Sequence, residues 1–565
     1  MRTTPEQRIE DFTRRGWWGE RTLVTLFDDA LKSSPDHLAL VDQFNRADFA
    51  DGEPKRLTYR ELSDIVDSVS ATFYEHGLRQ EDIAVVQLPN IAELPVVYLA
   101  LARLGVVVSP VPVQYGPFEL SKAQELLEPK AFITTSKFKG HNFAKDHSGA
   151  FPDDCKIFSF GDKPPVGAIE LSLTVVDGKD ESKWATYTNE IETSANDVFT
   201  ICWTSGTTGQ PKGVPRSHNL WISSATAAHD VADMRDGEAL LNPFPLVNMA
   251  GISGFMYPWL MRAATLVLHH PLDLQVFLKQ LQDEKVTYTI APPAVLTMLL
   301  KKRELLDAID LSSLRSIGSG SAPLSEWMVA GFQNDFGIGI LNIFGSNEGM
   351  CLCSSVRDLP DPGDRAQYFP RFGVEGFEWS NRASSRIRTR LVDLQSGEVV
   401  SEPGAPGQLE IWGATVFDGY WQSPEANQEV FTEDGYFKTG DVFEVAGNGD
   451  KAGFYKFVGR CKDIIVRGGV NISPDEVDNL LAGHPKVAEV AVVGYADEVM
   501  GERVGAAVVP KSGETVTLDE LTDFLREQGL AVFKLPEQLK CVDAIPYNAV
   551  GKVLRRELKD MFEQE

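Results

Sequence analysis

Cysteine pairs of the CxxC kind are missing from this chain of 565 residues. Its six cysteines, Cys155, Cys202, Cys351, Cys353, Cys461 and Cys541, are scattered without a CxxC unit. That argues against a disulfide framework and a structural zinc site, and points to reduced thiols. Cys351 and Cys353 form a lone CxC, read most simply as small residues on one face of a strand. Long apolar runs are lacking too. The longest, Val96 to Val113, is broken by Arg103, Gly105 and two prolines, so it reads as a buried helix followed by a strand, and no membrane span is expected. The first twenty residues mix acids with bases around no apolar segment, unlike a secretory signal or a transit peptide, and the expected location is cytoplasmic. Positive charge is scarce: 54 Lys and Arg stand against 81 acids, a net charge of -27. Nucleic acid is therefore a poor partner. An anionic ligand would have to be held by local amides, hydroxyls and a few placed cations, often with a metal.

What is present is ample apolar content, 43% of the residues, in a chain too long for one ordinary core. Short apolar runs at Ile83 to Leu88, Val106 to Val113, Ala131 to Thr135, Val198 to Trp203, Thr287 to Ala291 and Leu314 to Ile317 alternate with helical-length stretches such as Leu62 to Tyr74. The alternation predicts α/β layering with mainly parallel strands. From about residue 387 the pattern changes to strand-like pieces with a hairpin expected through Gly447-Asn448-Gly449-Asp450, a β-rich subdomain. Beyond Arg460 comes a compact α+β stretch, with helices expected at Ser473 to Leu481 and Leu518 to Glu527 and strands at Val487 to Val493 and Gly505 to Val509. The expected organisation is a large N-terminal domain over residues 1–461 and a small C-terminal domain over 462–565.

The strongest local signal is Thr204-Ser205-Gly206-Thr207-Thr208-Gly209-Gln210-Pro211-Lys212-Gly213, which follows an apolar strand and precedes a helix expected near Ser217. Three glycines let backbone amides approach an anion, and four hydroxyls and a lysine add donors, which suits a polyphosphate loop. A flexible polar turn would have a similar composition. The spacing is not that of a Walker loop.

Further motifs follow in order: Ser319-Gly320-Ser321-Ala322-Pro323-Leu324, Asn342-Ile343-Phe344-Gly345-Ser346-Asn347-Glu348, Tyr436-Phe437-Lys438-Thr439-Gly440-Asp441, Gly459-Arg460-Cys461-Lys462-Asp463 and Gly551-Lys552. Together with TSGTTGQPKG they resemble, from about residue 20 to the end, the adenylate-forming superfamily of acyl-CoA synthetases, peptide-synthetase adenylation domains and beetle luciferases, most closely an AMP-forming acyl-CoA synthetase. The resemblance implies ATP, Mg2+ and coenzyme A as cofactors, a small-molecule carboxylic acid as substrate, and a C-terminal domain that is mobile.

It also implies roles. Residues Thr204, Ser205, Gly206, Thr207, Thr208, Gly209 and Lys212 would cradle phosphates, and Gly320, Ser321, Ala322 and Pro323 would flank the adenine. Phe344 offers a face for stacking and Asn342 a bond to the exocyclic amine. Glu348 supplies a carboxylate for magnesium, Asp441 accepts ribose hydroxyls, and Arg460 reaches the same sugar. Lys552 bridges the substrate carboxylate and the α-phosphate. Lys462 is the pivot of the small domain, and Gly468 and Gly469 would pass near a pantetheine arm, although they also suit a plain β-turn.

Two positions depart from the family pattern. Asn347 stands where a threonine usually contacts the α-phosphate, and its amide can still donate a hydrogen bond. Asn248 stands where histidine or an aromatic is common, and can bond a polar substituent or serve as a satisfied loop residue. An acyl pocket lined by Val247, Asn248, Met249, Ala250 and the stretch Gly349 to Cys353 would be mainly apolar, favouring a compact hydrophobic acid: cyclic, aromatic or medium-chain. The start Phe12-Thr13-Arg14-Arg15-Gly16-Trp17-Trp18 resembles ligases of such acids and dihydroxybenzoate-activating enzymes. The alternative is a stand-alone activator that loads a carrier protein's phosphopantetheine. A homodimer is compatible with everything above.

Overall fold

A computed structural model describes the chain except residues 163, 176–180, 206–210, 350, 468–469, 498, 529, 548–552 and 564–565. Two sheets order most of its first three hundred and fifty residues. One has seven strands, in the spatial order 169–171, 156–160, 131–135, 83–86, 107–110, 198–205, 211–217. Its members pair in parallel except for the last, which returns antiparallel along Val198–Ser205. The other has eight strands, with a parallel centre formed by 38–41, 265–268, 239–242, 288–290, 316–320 and 339–345 and an antiparallel strand at each edge. The chain is thus α/β, because apolar runs of four or five residues buried on both faces can only be satisfied inside a covered parallel sheet. Ala131–Thr135 shows this: all five residues are buried.

Helices start where capping chemistry permits. Thr58 accepts a hydrogen bond from the Glu61 N–H while Glu61 reaches back to the Thr58 N–H, and the helix Tyr59–Glu75 begins there. Ser217 caps His218–Ala232 in the same way, through the Leu220 N–H. The run from Val96 is a buried helix, Glu93–Arg103, followed by the strand Val107–Pro110. No described helix is long and apolar enough to cross a membrane.

The helix expected near Ser217 is His218–Ala232, and the glycine–hydroxyl segment reaches it through a strand, Pro211–Ser217. This strand lies at the sheet edge, where the missing N–H of Pro215 costs the ladder little.

The chain divides into two compact units, residues 1–389 with 411–437, and residues 390–410 with 438–565. In the second, Phe437–Val445 and Phe454–Arg460 pair antiparallel, joined through a short 3-10 turn at Gly449–Gly453. The end of the chain forms its own core of Ile472, Val477, Leu481, Val492, Val504 and Leu525, between the helices Pro474–Leu481 and Leu518–Glu527 and the long hairpin Val487–Asp497 with Gly501–Pro510.

Candidate active site

The glycine–hydroxyl segment connects the two strands of an edge hairpin in which Thr204 faces Lys212 and Ser205 faces Pro211. Its residues Gly206, Thr207, Thr208 and Gly209 lie outside the described residues. The strand pair fixes where the segment leaves and rejoins the sheet, and puts Lys212 at the point of return.

Lys212 and Glu348 meet on a residue the sequence reading did not single out. The Lys212 Nζ lies over the Tyr420 ring, 4.8 Å from its centroid, and the Tyr420 hydroxyl donates to Glu348 Oε1 at 3.0 Å. A cation on the ring face is attracted by the ring's quadrupole, and a phenol donating to a carboxylate is a charge-assisted bond. Burial, reinforced by the carboxylate beside it, raises the Tyr420 pKa far above its ordinary value, so it remains a donor. The main chain of Glu348 is held as well: its carbonyl accepts the Phe417 N–H at 2.9 Å. Gly349 follows with φ +103°, and a Cβ there would lie 1.8 Å from the Thr415 carbonyl oxygen, so only glycine allows this approach.

A single buried carboxylate, Glu348, fits magnesium, which is bound through one or two carboxylates plus substrate phosphates and keeps several waters. Among the described residues no three His, Cys, Asp or Glu side chains gather in a metal-binding group.

The residues expected to flank an adenine sit at neighbouring strand ends. Gly320 ends Ser316–Gly320 opposite Ile343, and a Cβ on it would lie 2.0 Å from the Ile343 carbonyl oxygen. Ser321, Ala322 and Pro323 then turn outward, exposed, with Ser321 at φ +69°. Asn342 is buried, and its Nδ2 donates to the carbonyls of Arg365 and Ala366 at 3.2 and 3.0 Å. Since its amide protons are spent on backbone, Oδ1 is the atom left to read a ligand, and it can only accept. Phe344 is partly exposed two residues on, tilted against Phe369 at 5.8 Å.

The candidate acyl segment is tightly held. Asn90 donates to the Phe244 carbonyl and accepts the Leu246 N–H, at 2.7 and 3.1 Å. Val247 is buried. Asn248 caps the short helix Met249–Gly251, its Oδ1 accepting the Ala250 and Gly251 N–H groups at 3.1 and 3.3 Å. Of the two readings of Asn248, the satisfied loop residue thus has a concrete form, and its amide nitrogen faces no competing demand from the cap. Asn347 joins this segment to the phosphate-loop strand: its Nδ2 donates to the Trp203 carbonyl at 2.9 Å and its Oδ1 accepts the Met249 N–H at 2.8 Å.

Below them lies Arg216, fully buried. Its guanidinium donates to the carbonyls of Asn347, Leu220 and Thr415 at 2.8, 2.8 and 3.1 Å, and to the Ser224 hydroxyl at 2.8 Å. The five-donor fork is suited to tying several stretches of chain at once. Tyr420, Arg216 and Asn90 were missed because nothing local marks them. Only an arginine inside the small-residue run Val214-Pro215-Arg216-Ser217 hinted at a buried cation.

In the second unit, Asp441 stands opposite Arg460 across the hairpin, with Arg460 Nε 3.4 Å from Asp441 Oδ1. Asp441 is buried and Arg460 about two-fifths exposed, so the guanidinium can swing while the carboxylate is fixed. Lys462 is exposed in the turn that follows. Gly468, Gly469 and Lys552 lie outside the described residues.

Comparison with known proteins supplies the framework for this geometry. Residues 27–421 match the AMP-binding enzyme family and 476–552 match the AMP-binding enzyme C-terminal domain. The chain is 30% identical over 512 residues to the indoleacetate–CoA ligase of Aromatoleum aromaticum, covering 90% of this chain and 94% of that protein. It is 27% identical to the 2,3-dihydroxybenzoate-AMP ligase of Bacillus subtilis, covering 99% and 97%. ATP-bound MatB from Rhodopseudomonas palustris shares the fold, with a TM-score of 0.76 at 24% identity over 97% of this chain and 99% of that one. With a nucleotide-type strand-end site on one side and family matches along most of the chain on the other, this protein belongs to the AMP-binding enzyme family and is an adenylate-forming ligase.

Proposed function

We propose that the chain is an AMP-forming carboxylate–CoA ligase acting on a compact hydrophobic acid, cyclic, aromatic or medium-chain. The observation that carries this reading is the convergence of Lys212 and Glu348 on Tyr420, with Lys212 in the edge hairpin that flanks the glycine–hydroxyl segment. A phosphate-binding cation and a metal-type carboxylate held on one phenol suit a triphosphate. The Asn342 acceptor suits an amine-bearing base, and the Asp441 carboxylate a ribose diol.

In the first step the acid's carboxylate oxygen attacks the α-phosphorus of ATP, the bond to the bridging oxygen breaks, and pyrophosphate leaves. In the second a thiol attacks the carbonyl of the mixed anhydride, loses its proton, and AMP leaves. Magnesium, when bound at Glu348, neutralises charge on the phosphate oxygens. The protein's part is mainly positioning: Lys212 meets phosphate oxygens, Tyr420 keeps the Glu348 carboxylate turned inward, and Lys552 neutralises the charge developing between carboxylate and α-phosphate. Lys462 would be the pivot of residues 462–565 between the two steps, and Gly468 and Gly469 are the residues the resemblance assigns to the thiol. The relative named for indoleacetate supports an aromatic acid with CoA as acceptor. The relative named as a dihydroxybenzoate-AMP ligase supports the second reading, in which the acceptor is a carrier protein's phosphopantetheine.

The test is pyrophosphate release with Mg-ATP across cyclic, aryl and short- to medium-chain acids, with and without CoA, beside Lys552→Ala. Acid-dependent release that CoA accelerates, and that the variant loses by about a thousandfold, is the expected result. Release indifferent to CoA favours the carrier protein, and no release with any acid removes the proposal.

A further inference from the structure

Asn347 belongs to the motif whose threonine, in the resemblance above, meets the α-phosphate, yet its side chain is already occupied on both sides. Trp203 offers it a carbonyl, which only accepts, and Met249 an N–H, which only donates, so the orientation of the amide is fixed by its neighbours. Its own carbonyl is held in turn by the buried Arg216. The three partners are one residue before the glycine–hydroxyl segment, the first residue of the helix Met249–Gly251, and the strand that follows that segment.

We propose that Asn347 is a positioning residue that clips the acyl-side helix to the phosphate-loop strand, so that occupancy of one side sets the geometry of the other. Threonine could not do this: its one hydroxyl sits a bond nearer the main chain, and a single oxygen cannot stand at both the donor and the acceptor end of the amide. Alanine satisfies neither. The role assigned to the Met249 side rests on the ligase reading given above, whereas the clip itself does not.

Two measurements separate the two. Amide hydrogen exchange of the segment 247–252 needs no substrate. Asn347→Ala and Asn347→Thr should each speed exchange there by about tenfold relative to wild type under the same conditions, with melting profiles checked to exclude global unfolding. Steady-state kinetics with an accepted acid should then show the KM for that acid raised about tenfold in Asn347→Thr while the KM for ATP stays within about twofold. Unchanged exchange in the alanine and threonine variants overturns the clip whatever the kinetics show. Faster exchange together with a raised KM for ATP and an unaltered KM for the acid overturns the coupling to the acyl side and restores a phosphate contact. If no acid is turned over by the wild type, the ligase reading fails while the exchange result still decides the clip.

Discussion

Arg216, fully buried in the first unit, and Arg555, partly buried in the second, are held in different ways. Arg216 donates to three backbone carbonyls and a hydroxyl. Arg555, in the second, pairs with the carboxylates of Asp475 and Asp478 and with the Val492 carbonyl, at 2.8 Å for Asp478 and 2.7 Å for Val492. Burial pushes the Asp478 carboxyl up to about 7 against the pull of Arg555. A carboxylate left behind by a lost arginine can take up a proton and become neutral. A carbonyl cannot, and has no second state to retreat to. The carbonyl contacts of Arg216 are therefore indifferent to pH, and the carboxylate pair of Arg555 is adjustable.

The largest expected effect breaks that comparison directly. Arg216→Met should destabilise the first unit by roughly 4 kcal/mol, since three buried acceptors lose a donor at about 1–3 kcal/mol each with partial relaxation. The loss should not vary with pH between 6 and 8. Arg555→Met should cost about 2 kcal/mol at pH 8 and less below pH 7, as Asp478 protonates. Calorimetric unfolding at two pH values checks both, and equal pH dependence in the two variants would contradict the contrast.

A smaller effect sharpens it within the first unit. His218 is buried against Phe199, with ring centroids 4.8 Å apart, and its Nδ1 accepts the Leu23 N–H at 3.2 Å. Burial holds its pKa down to about 3. A base with a depressed folded pKa gives stability that is complete above its unfolded value near 6.5 and is lost as pH falls toward the folded value. The expected slope is about 1.4 kcal/mol per pH unit between roughly 6 and 3. His218→Asn, whose amide oxygen can accept the same N–H, should flatten the stability–pH curve by that amount in denaturant titrations at pH 7, 6 and 5. The smallest effect is at Asn248, where Asn248→Ala removes a cap from a short helix and should lower the melting free energy by about 1 kcal/mol.

How much was legible in the sequence follows physical lines. Ala131 to Thr135 and Leu518 to Glu527 could be read because an apolar run and a T-x-x-E cap are local signals, and the structure places elements at those residues. Pro211–Ser217 could not, because a lysine and two prolines disguise an edge strand whose pairing is set by its neighbour. The site motifs were visible as spacing and resemblance, and Glu348 and Lys212 were both singled out. Tyr420 was not, because it meets Glu348 across 72 residues and nothing in the sequence declares that meeting. The same holds for Asn347: its identity could be read, but the carbonyl and N–H that occupy it belong to segments far away.

Arg216 has a final consequence, in the order of folding. Its hydrogen-bond partners include two nearby, 4 and 8 residues away along the chain, and two distant, 131 and 199 residues away. A half-assembled first unit that had formed the local contacts alone would hold a charged guanidinium short of its distant acceptors, in surroundings already losing water. Such an intermediate is penalised, and the penalty disappears only when the segments around residues 347 and 415 arrive. One side chain thereby makes completion of the nucleotide-binding unit close to all-or-none, so that a folded first unit is also one whose Asn347–Glu348 segment is in place.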